Sequence, residues 1–163
     1  MPSQLTVDYT KCTGCRICEL ACSAKHERSF RPSYARLKII KYDDLGVDIP
    51  NVCGPCEEAP CVDVCPTYAM RRDPISKMTF VDHDKCILCK TCIGACVNGV
   101  ILLDNEKMKI IKCDHCSGDP ECAKVCPTGA IKYGPTITGT TVDRHQKAVT
   151  YLTEIQRTAG SKK

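Results

Sequence analysis

The chain has no tryptophan, only two phenylalanines and an aromatic content of 5%. Of its 163 residues 43% are hydrophobic when cysteine is counted, and setting cysteine aside leaves about a third of the chain. So small an apolar complement cannot by itself offset the entropy of ordering the chain, which calls for a covalent or inorganic staple. No run of 18 apolar residues occurs, so no membrane-spanning helix is expected. The leader MPSQLTVDYT has neither the apolar stretch nor the cleavage site of a secretory signal, and Arg71 and Arg72 lie mid-chain rather than in a twin-arginine leader. The expected location is therefore cytoplasmic, where thiols stay reduced and disulfides are disfavoured. Other chemistry is sparse. The segment GPTITG, Gly134 to Gly139, has neither the spacing nor the lysine of a nucleotide loop. His26, His83, His115 and His145 are scattered. No catalytic site is expected in this chain alone.

Cysteine is what the chain has in excess: sixteen residues, in four quartets. Cys12, Cys15, Cys18 and Cys22 read C-x2-C-x2-C-x3-C, a spacing repeated by Cys86, Cys89, Cys92 and Cys96. Cys53, Cys56, Cys61 and Cys65 read C-x2-C-x4-C-x3-C before Pro66, and Cys113, Cys116, Cys122 and Cys126 read C-x2-C-x5-C-x3-C before Pro127. A structural zinc site usually joins two separated C-x2-C knuckles around one tetrahedral ion. Three cysteines within seven residues suit a cubane better, since one tight loop can deliver thiolates to three irons. In the C-x2-C-x2-C-x3-C-P run of bacterial ferredoxins the fourth cysteine ligates the other cluster of a pair. Sixteen ligands divide into four 4Fe-4S clusters, leaving no thiol over as a nucleophile. Zinc-stabilised interaction modules are the alternative without redox chemistry.

The quartets are repeats. VDYTKCTGCRICELAC, Val7 to Cys22, matches VDHDKCILCKTCIGAC, Val81 to Cys96, at eight of sixteen positions with an offset of 74. VCPTYAM from Val64 recurs as VCPTGAI from Val125. Val7, Asp8 and Lys11 match without being ligands, so metal geometry alone does not explain the likeness.

Between the quartets the pattern predicts short hairpins: Arg36 to Tyr42, Met78 to Asp82, and Val100 to Leu103 with Met108 to Lys112, turned by Asp104, Asn105 and Glu106. A helical turn is expected after Pro66 and after Pro127, and loop elsewhere. The expected class is α+β and loop-rich, with a four-cluster domain over 1–133 and a tail over 134–163. In the tail a helix is predicted at about 141–158, started by Thr140 with Asp143 and stopped at Gly160. Val142, Val149, Leu152, Ile155 and Ala159 form its apolar stripe, and Asp143 and Arg157 suit its dipole. With cubanes filling the interior, this stripe is expected to dock on a partner or on a second copy, folding back on the chain's own core being the alternative.

The quartets, the VD-x-x-KC lead-ins and the CPT-x-A exits resemble the four-cluster ferredoxin family, the electron-transfer subunits of molybdenum and tungsten oxidoreductases and formate-linked hydrogenases, over about Val7 to Tyr133. CTGCRICELACSAKHE with FRPSYARLKI resembles more narrowly the small iron-sulfur subunits of tungsten aldehyde oxidoreductases and of the tungsten enzymes of benzoyl-CoA reduction. The chain departs at Ser23 and Val97, where many relatives carry proline. The resemblance implies duplicated bacterial-ferredoxin-like units of short hairpins and helices, an inner one at about 53–96 and an outer one joining 7–22 to 113–133. Pairing of the quartets in sequence order is one option. The resemblance implies the nested one, with Cys12, Cys15, Cys18 and Cys126 on one cluster, Cys22, Cys113, Cys116 and Cys122 on a second, Cys53, Cys56, Cys61 and Cys96 on a third, and Cys65, Cys86, Cys89 and Cys92 on a fourth. It further implies single-electron relay to or from a tungsten or molybdenum catalytic subunit, with a flavin subunit or a soluble ferredoxin as the other carrier. A free diffusible polyferredoxin is the alternative.

The formal charge of +4 counts cysteine as neutral. Each cubane with four thiolates carries about −2, which would take the loaded chain to roughly −4 and removes any argument for nucleic-acid binding. Lys11, Lys85 and Lys112 each precede the first cysteine of a quartet, with Lys25 and Lys90 nearby. They are candidates for stabilising reduced clusters, a solvated lysine being the plain alternative. His115, inside CDHC, is either a donor beside a cluster or a bystander.

Overall fold

The computed structural model describes residues 3–54, 56–135 and 149–157. In chain order the elements are β1 (Ser3–Val7), α1 (Ile17–Glu27), β2 (Lys38–Tyr42), β3 (Val47–Asn51), α2 (Pro60–Asp63), β4 (Met70–Arg72), β5 (Thr79–Val81), α3 (Thr91–Ala95), β6 (Leu102–Asp104), β7 (Lys109–Ile111), α4 (Glu121–Lys124) and β8 (Ile131–Pro135). Residues 149–157 form a further helix, α5. The strands pair only in twos, all antiparallel: β1 with β8, β2 with β3, β4 with β5 and β6 with β7. This is the small α+β arrangement expected, with cysteine loops between ribbons. Among the described residues no helix is long and apolar enough to cross a membrane.

Local chemistry explains the ribbons. In the turn from β6 to β7 the Asp104 carboxylate accepts the N–H groups of Glu106 and Lys107 at 2.9 and 3.0 Å, so Asp104 supplies the turn itself. The β1–β8 ribbon joins the two ends of the body, with Val7 opposite Ile131 and the Asp8 N–H donating to Ala130 O at 2.8 Å. The inner ribbon repeats this, with Val81 opposite Met70 and the Asp82 N–H donating to Ala69 O at 2.8 Å. Each VD lead-in thus pairs with an A-x exit: the first quartet's with the last's, the third's with the second's. The strands β1, β3 and β8 lie where the sequence pattern predicts loop. Five-residue stretches become strands here because a distant partner sits beside them.

Two expectations need correction. The helical turns lie before the fourth cysteine, as α2 and α4, rather than after Pro66 and Pro127. Pro60 occupies the first helical position of α2 and Pro120 the cap of α4, while past each fourth cysteine a left-handed residue breaks any helix, Tyr68 at φ 53 in one copy and Gly129 at φ 65 in the other. The stretch after the first quartet is not loop either: α1 runs eleven residues through Cys22. Ser23 permits this where a proline would not. Its hydroxyl donates to Leu20 O at 3.0 Å and accepts the Arg31 N–H at 3.1 Å.

The Tyr68 and Gly129 pair gives a prediction of opposite signs. Tyr68 is 77% exposed and packs little, while a left-handed non-glycine residue costs about 1–2 kcal/mol, offset in part by the entropy of a new glycine. Tyr68→Gly should stabilise the protein by about 0.5–1 kcal/mol and Gly129→Ala should destabilise it by about 1 kcal/mol, read as thermal midpoints under identical anaerobic conditions.

Of the tail helix, 141–148 and 158 lie outside the described residues, with Thr140, Val142, Asp143, Ala159 and Gly160. Val149 and Leu152 line an open cavity of about 180 Å³ with Ile40, Tyr42, Ile49 and Val97 of the body. Part of the stripe therefore faces the chain's own surface, because β2 and the exit at Val97 leave apolar side chains exposed there.

Candidate metal centres

The cysteine loops have an unusual backbone. Gly14 and Arg16 take φ 64 and φ 60, and their counterparts in the third quartet, Leu88 and Lys90, take φ 58 and φ 64. In the fourth quartet His115, Cys116 and Ser117 take φ 52, 50 and 57. Left-handed residues within such loops turn successive N–H groups inward, making the concavity that anions and iron-sulfur groups occupy. For non-glycine residues this costs about 1–2 kcal/mol each and persists only where the surroundings enforce it. A Cβ at Gly14 would also run into the Asp48 carboxylate, so any larger residue there needs that side chain to move.

All sixteen thiols are free of one another, and they gather in fours. One hollow is lined by Cys12, Cys15, Cys18 and Cys126. A second is lined by Cys65, Cys86, Cys89 and Cys92. A third is lined by Cys53, Cys56, Cys61 and Cys96. The remaining four, Cys22, Cys113, Cys116 and Cys122, lie close enough to repel one another electrostatically in the core. Two hydrophobic clusters hold these groups. One contains Leu5, Leu37 and Ile131 with Cys18, Cys22, Cys53, Cys113 and Cys122, the other Met70, Ile101 and Ile110 with Cys61 and Cys92.

Burial pushes the inner thiols up, with neighbouring negative charge adding to it at Cys18 and Cys122, to about 12, and at Cys113, well above the ordinary value, while Cys61 reaches about 11 by burial against the opposing Lys112 ammonium. Metal loading must therefore release protons that these thiols hold tightly on their own. Cys65 and Cys126 differ. Burial would raise both, but the N–H of Met70 and the Thr67 hydroxyl beside Cys65, and the N–H of Ile131 and the Thr128 hydroxyl beside Cys126, bring them below the usual thiol range. The repeated CPT-x-A exit therefore favours the thiolate form of each of these cysteines, in contrast to the buried ones.

The lysines singled out from sequence separate sharply. Lys11 is exposed and pairs with Asp8 at 2.5 Å, Lys25 pairs with Glu121 at 3.5 Å, and Lys85 and Lys90 are exposed. Lys112 is buried, its ammonium donating to Thr79 O at 2.9 Å, Cys113 O at 3.2 Å and Cys53 Sγ at 3.2 Å. Burial would lower its pKa, but Cys53, Cys113 and Cys61 outweigh that and hold it above the ordinary lysine value. His115 is also buried. Its Nε2 donates to Cys53 O at 2.8 Å and its ring meets Tyr133 edge-on, bracing the second quartet against the fourth, while its backbone N–H faces the Cys113 sulfur.

Three neighbours of the thiols escaped sequence reading. His26 Nε2 lies 3.4 Å from Cys116 Sγ, across 90 positions of sequence. The Arg36 N–H donates to Cys22 Sγ at 3.3 Å while its guanidinium pairs with Asp114 at 2.8 Å. Glu19, fully buried, accepts the Ile39 N–H at 2.8 Å and the Arg16 Nε–H at 2.7 Å, tying the first cysteine loop to β2. No local pattern marks any of them.

The donor set fits iron-sulfur clusters better than single ions. A structural zinc ion usually joins two separated C-x2-C knuckles, whereas each of these three hollows is lined by three cysteines of one quartet and a fourth from a distant one. Left-handed residues in the loops are the backbone pattern of such anion-binding concavities.

Known proteins agree. The 4Fe-4S dicluster domain family matches residues 47–136. The polyferredoxin-like subunit of the aliphatic sulfonate oxidoreductase of Pyrococcus furiosus is 36% identical over 116 residues, covering 71% of this chain, which spans 66% of that subunit. The electron transport protein HydN of Escherichia coli is 34% identical over 152 residues, covering 78% of this chain and 85% of HydN. In fold, a chain of the BamBC active-site complex of benzoyl coenzyme A reductase superposes with a TM-score of 0.50 at 22% identity, covering 90% of this chain and 88% of that one. The sulfur-lined loops and these matches together place this chain in the 4Fe-4S dicluster domain family.

Proposed function

We propose that the chain is an electron-transfer subunit that passes single electrons along four 4Fe-4S clusters, between a catalytic oxidoreductase partner and a second carrier. Cys12, Cys15, Cys18 and Cys126 would hold the first cluster, Cys22, Cys113, Cys116 and Cys122 the second, Cys53, Cys56, Cys61 and Cys96 the third, and Cys65, Cys86, Cys89 and Cys92 the fourth. Each cubane, when bound, accepts or releases one electron. The chain's own residues hold the sites in a row. Cys18 and Cys122 adjoin across the first and second groups, Cys113 and Cys53 across the second and third, and Cys61 and Cys92 share one hydrophobic cluster across the third and fourth.

The observation that carries this reading is that the two exposed thiols, Cys15 and Cys89, belong to the first and fourth groups. Interior members keep water out, while each end presents one ligand to a partner. The two pairings of VD lead-in with A-x exit support an inner unit at about 53–96 nested in an outer one built from 7–22 and 113–133. A tungsten or molybdenum enzyme is the partner class that the resemblance favours, with a cytoplasmic location, and self-association would use the part of the tail helix that does not face the body. Anaerobic purification from the native source should give about sixteen irons per chain, visible absorbance that bleaches with dithionite, and tungsten or molybdenum in the same fraction. A colourless, zinc-loaded protein overturns the redox reading. An iron-loaded chain free of any catalytic subunit overturns the dedicated-partner part and leaves a diffusible carrier.

A further inference from the structure

Three lysines occupy the same place in the repeat, immediately before the first cysteine of a quartet, yet they meet different fates. Lys11 and Lys85 are exposed, and Lys11 spends its charge on Asp8. Lys112 is only 5% exposed. Its three N–H donors are all used, on Thr79 O, Cys113 O and Cys53 Sγ. Among the described residues no carboxylate forms an ion pair with it; the anionic partners around it are the sulfurs of Cys53, Cys113 and Cys61. A buried cation without a counter-charge is strongly destabilising, so the site is built to face negative charge, and thiolates carrying a metal cluster supply it. The other basic groups beside the thiols are not equivalent. Arg36 is neutralised by Asp114 and Lys25 by Glu121, and Lys90 is open to water.

We propose that Lys112 sets the redox order of the row, making the cluster held by Cys53, Cys56, Cys61 and Cys96 the most readily reduced of the four. This rests on the electron-transfer reading above. Reduction adds one electron from an external reductant, makes and breaks no bond and moves no proton. It raises the negative charge borne by the Cys53 sulfur and its neighbours, and a fixed ammonium 3.2 Å away favours the more negative state. In a water-poor interior that preference is far larger than at an exposed lysine. An electron entering at either end then rests near the middle of the row.

The test is a potentiometric titration of the full-length, anaerobically purified protein, followed by electron paramagnetic resonance, with iron content measured in parallel. Lys112→Met keeps the length of the side chain and removes its charge. With iron retained, it should disfavour reduction of one cluster at least tenfold, a fall of about 59 mV for a one-electron couple, and leave the other three in place. Full iron with every midpoint unchanged overturns the proposal. Should Lys112→Met lose iron, Cys96→Ser decides: serine ligation alters the signal of the cluster bound there, and that signal must be the one reduced first in the unaltered protein. Alteration of a later-reduced signal overturns the proposal. An unaltered protein without iron fails the electron-transfer reading itself, which the iron assay reports separately from any midpoint.

Discussion

Cys126→Ala is expected to abolish the cluster of Cys12, Cys15 and Cys18, more than a hundred residues away, and to spare the one built on its own quartet. Iron should fall from about sixteen to about twelve per chain. Double variants make the assignment independent of spectral interpretation, since substitutions within one site do not add while those in separate sites do. Cys126→Ala with Cys15→Ala should still hold about twelve irons, whereas Cys126→Ala with Cys116→Ala should hold about eight. The reverse result would mean that each quartet ligates its own cluster. The motive is the cavity between Cys126 and the first loop, which the β1–β8 ribbon closes.

Glu19→Ala should be the most damaging substitution outside the cysteines. It removes a fully buried carboxylate, leaves the Ile39 N–H without its acceptor and opens a void between α1 and β2. Together these cost about 2–4 kcal/mol. The bond to Arg16 adds little, because Arg16 is half exposed and screened. The midpoint temperature for loss of visible absorbance should fall by roughly 5–15 °C, compared at one scan rate because cluster loss is irreversible. Glu19→Gln keeps an acceptor for Ile39 and should cost about 1 kcal/mol or less. Equal damage by both variants would show that the charge, rather than the hydrogen bond, holds the loop.

Much of the site was legible because its determinants are local. Three cysteines within seven residues describe a loop whatever surrounds them, and the matches at Val7, Asp8 and Lys11 announce the repeat. The repeat did not show that the same lysine would be exposed at 11 and 85 and buried at 112. That difference arises from Thr79, Cys53 and Cys113, which three separate segments bring around one ammonium. Nor did it show α1, although Ser23 in place of proline was visible, because the helix depends on Arg31 returning to cap the Ser23 hydroxyl.

The sequence by itself determined the donor chemistry, the count of thiols, the duplication and the β6–β7 hairpin, all of which are written in short stretches of chain. Only the tertiary structure decided which strands meet, which cation is shut in with sulfur, and where α5 lies. Those depend on the chain's two ends meeting in the β1–β8 ribbon, a contact between residues 3–7 and 131–135 that no local pattern specifies.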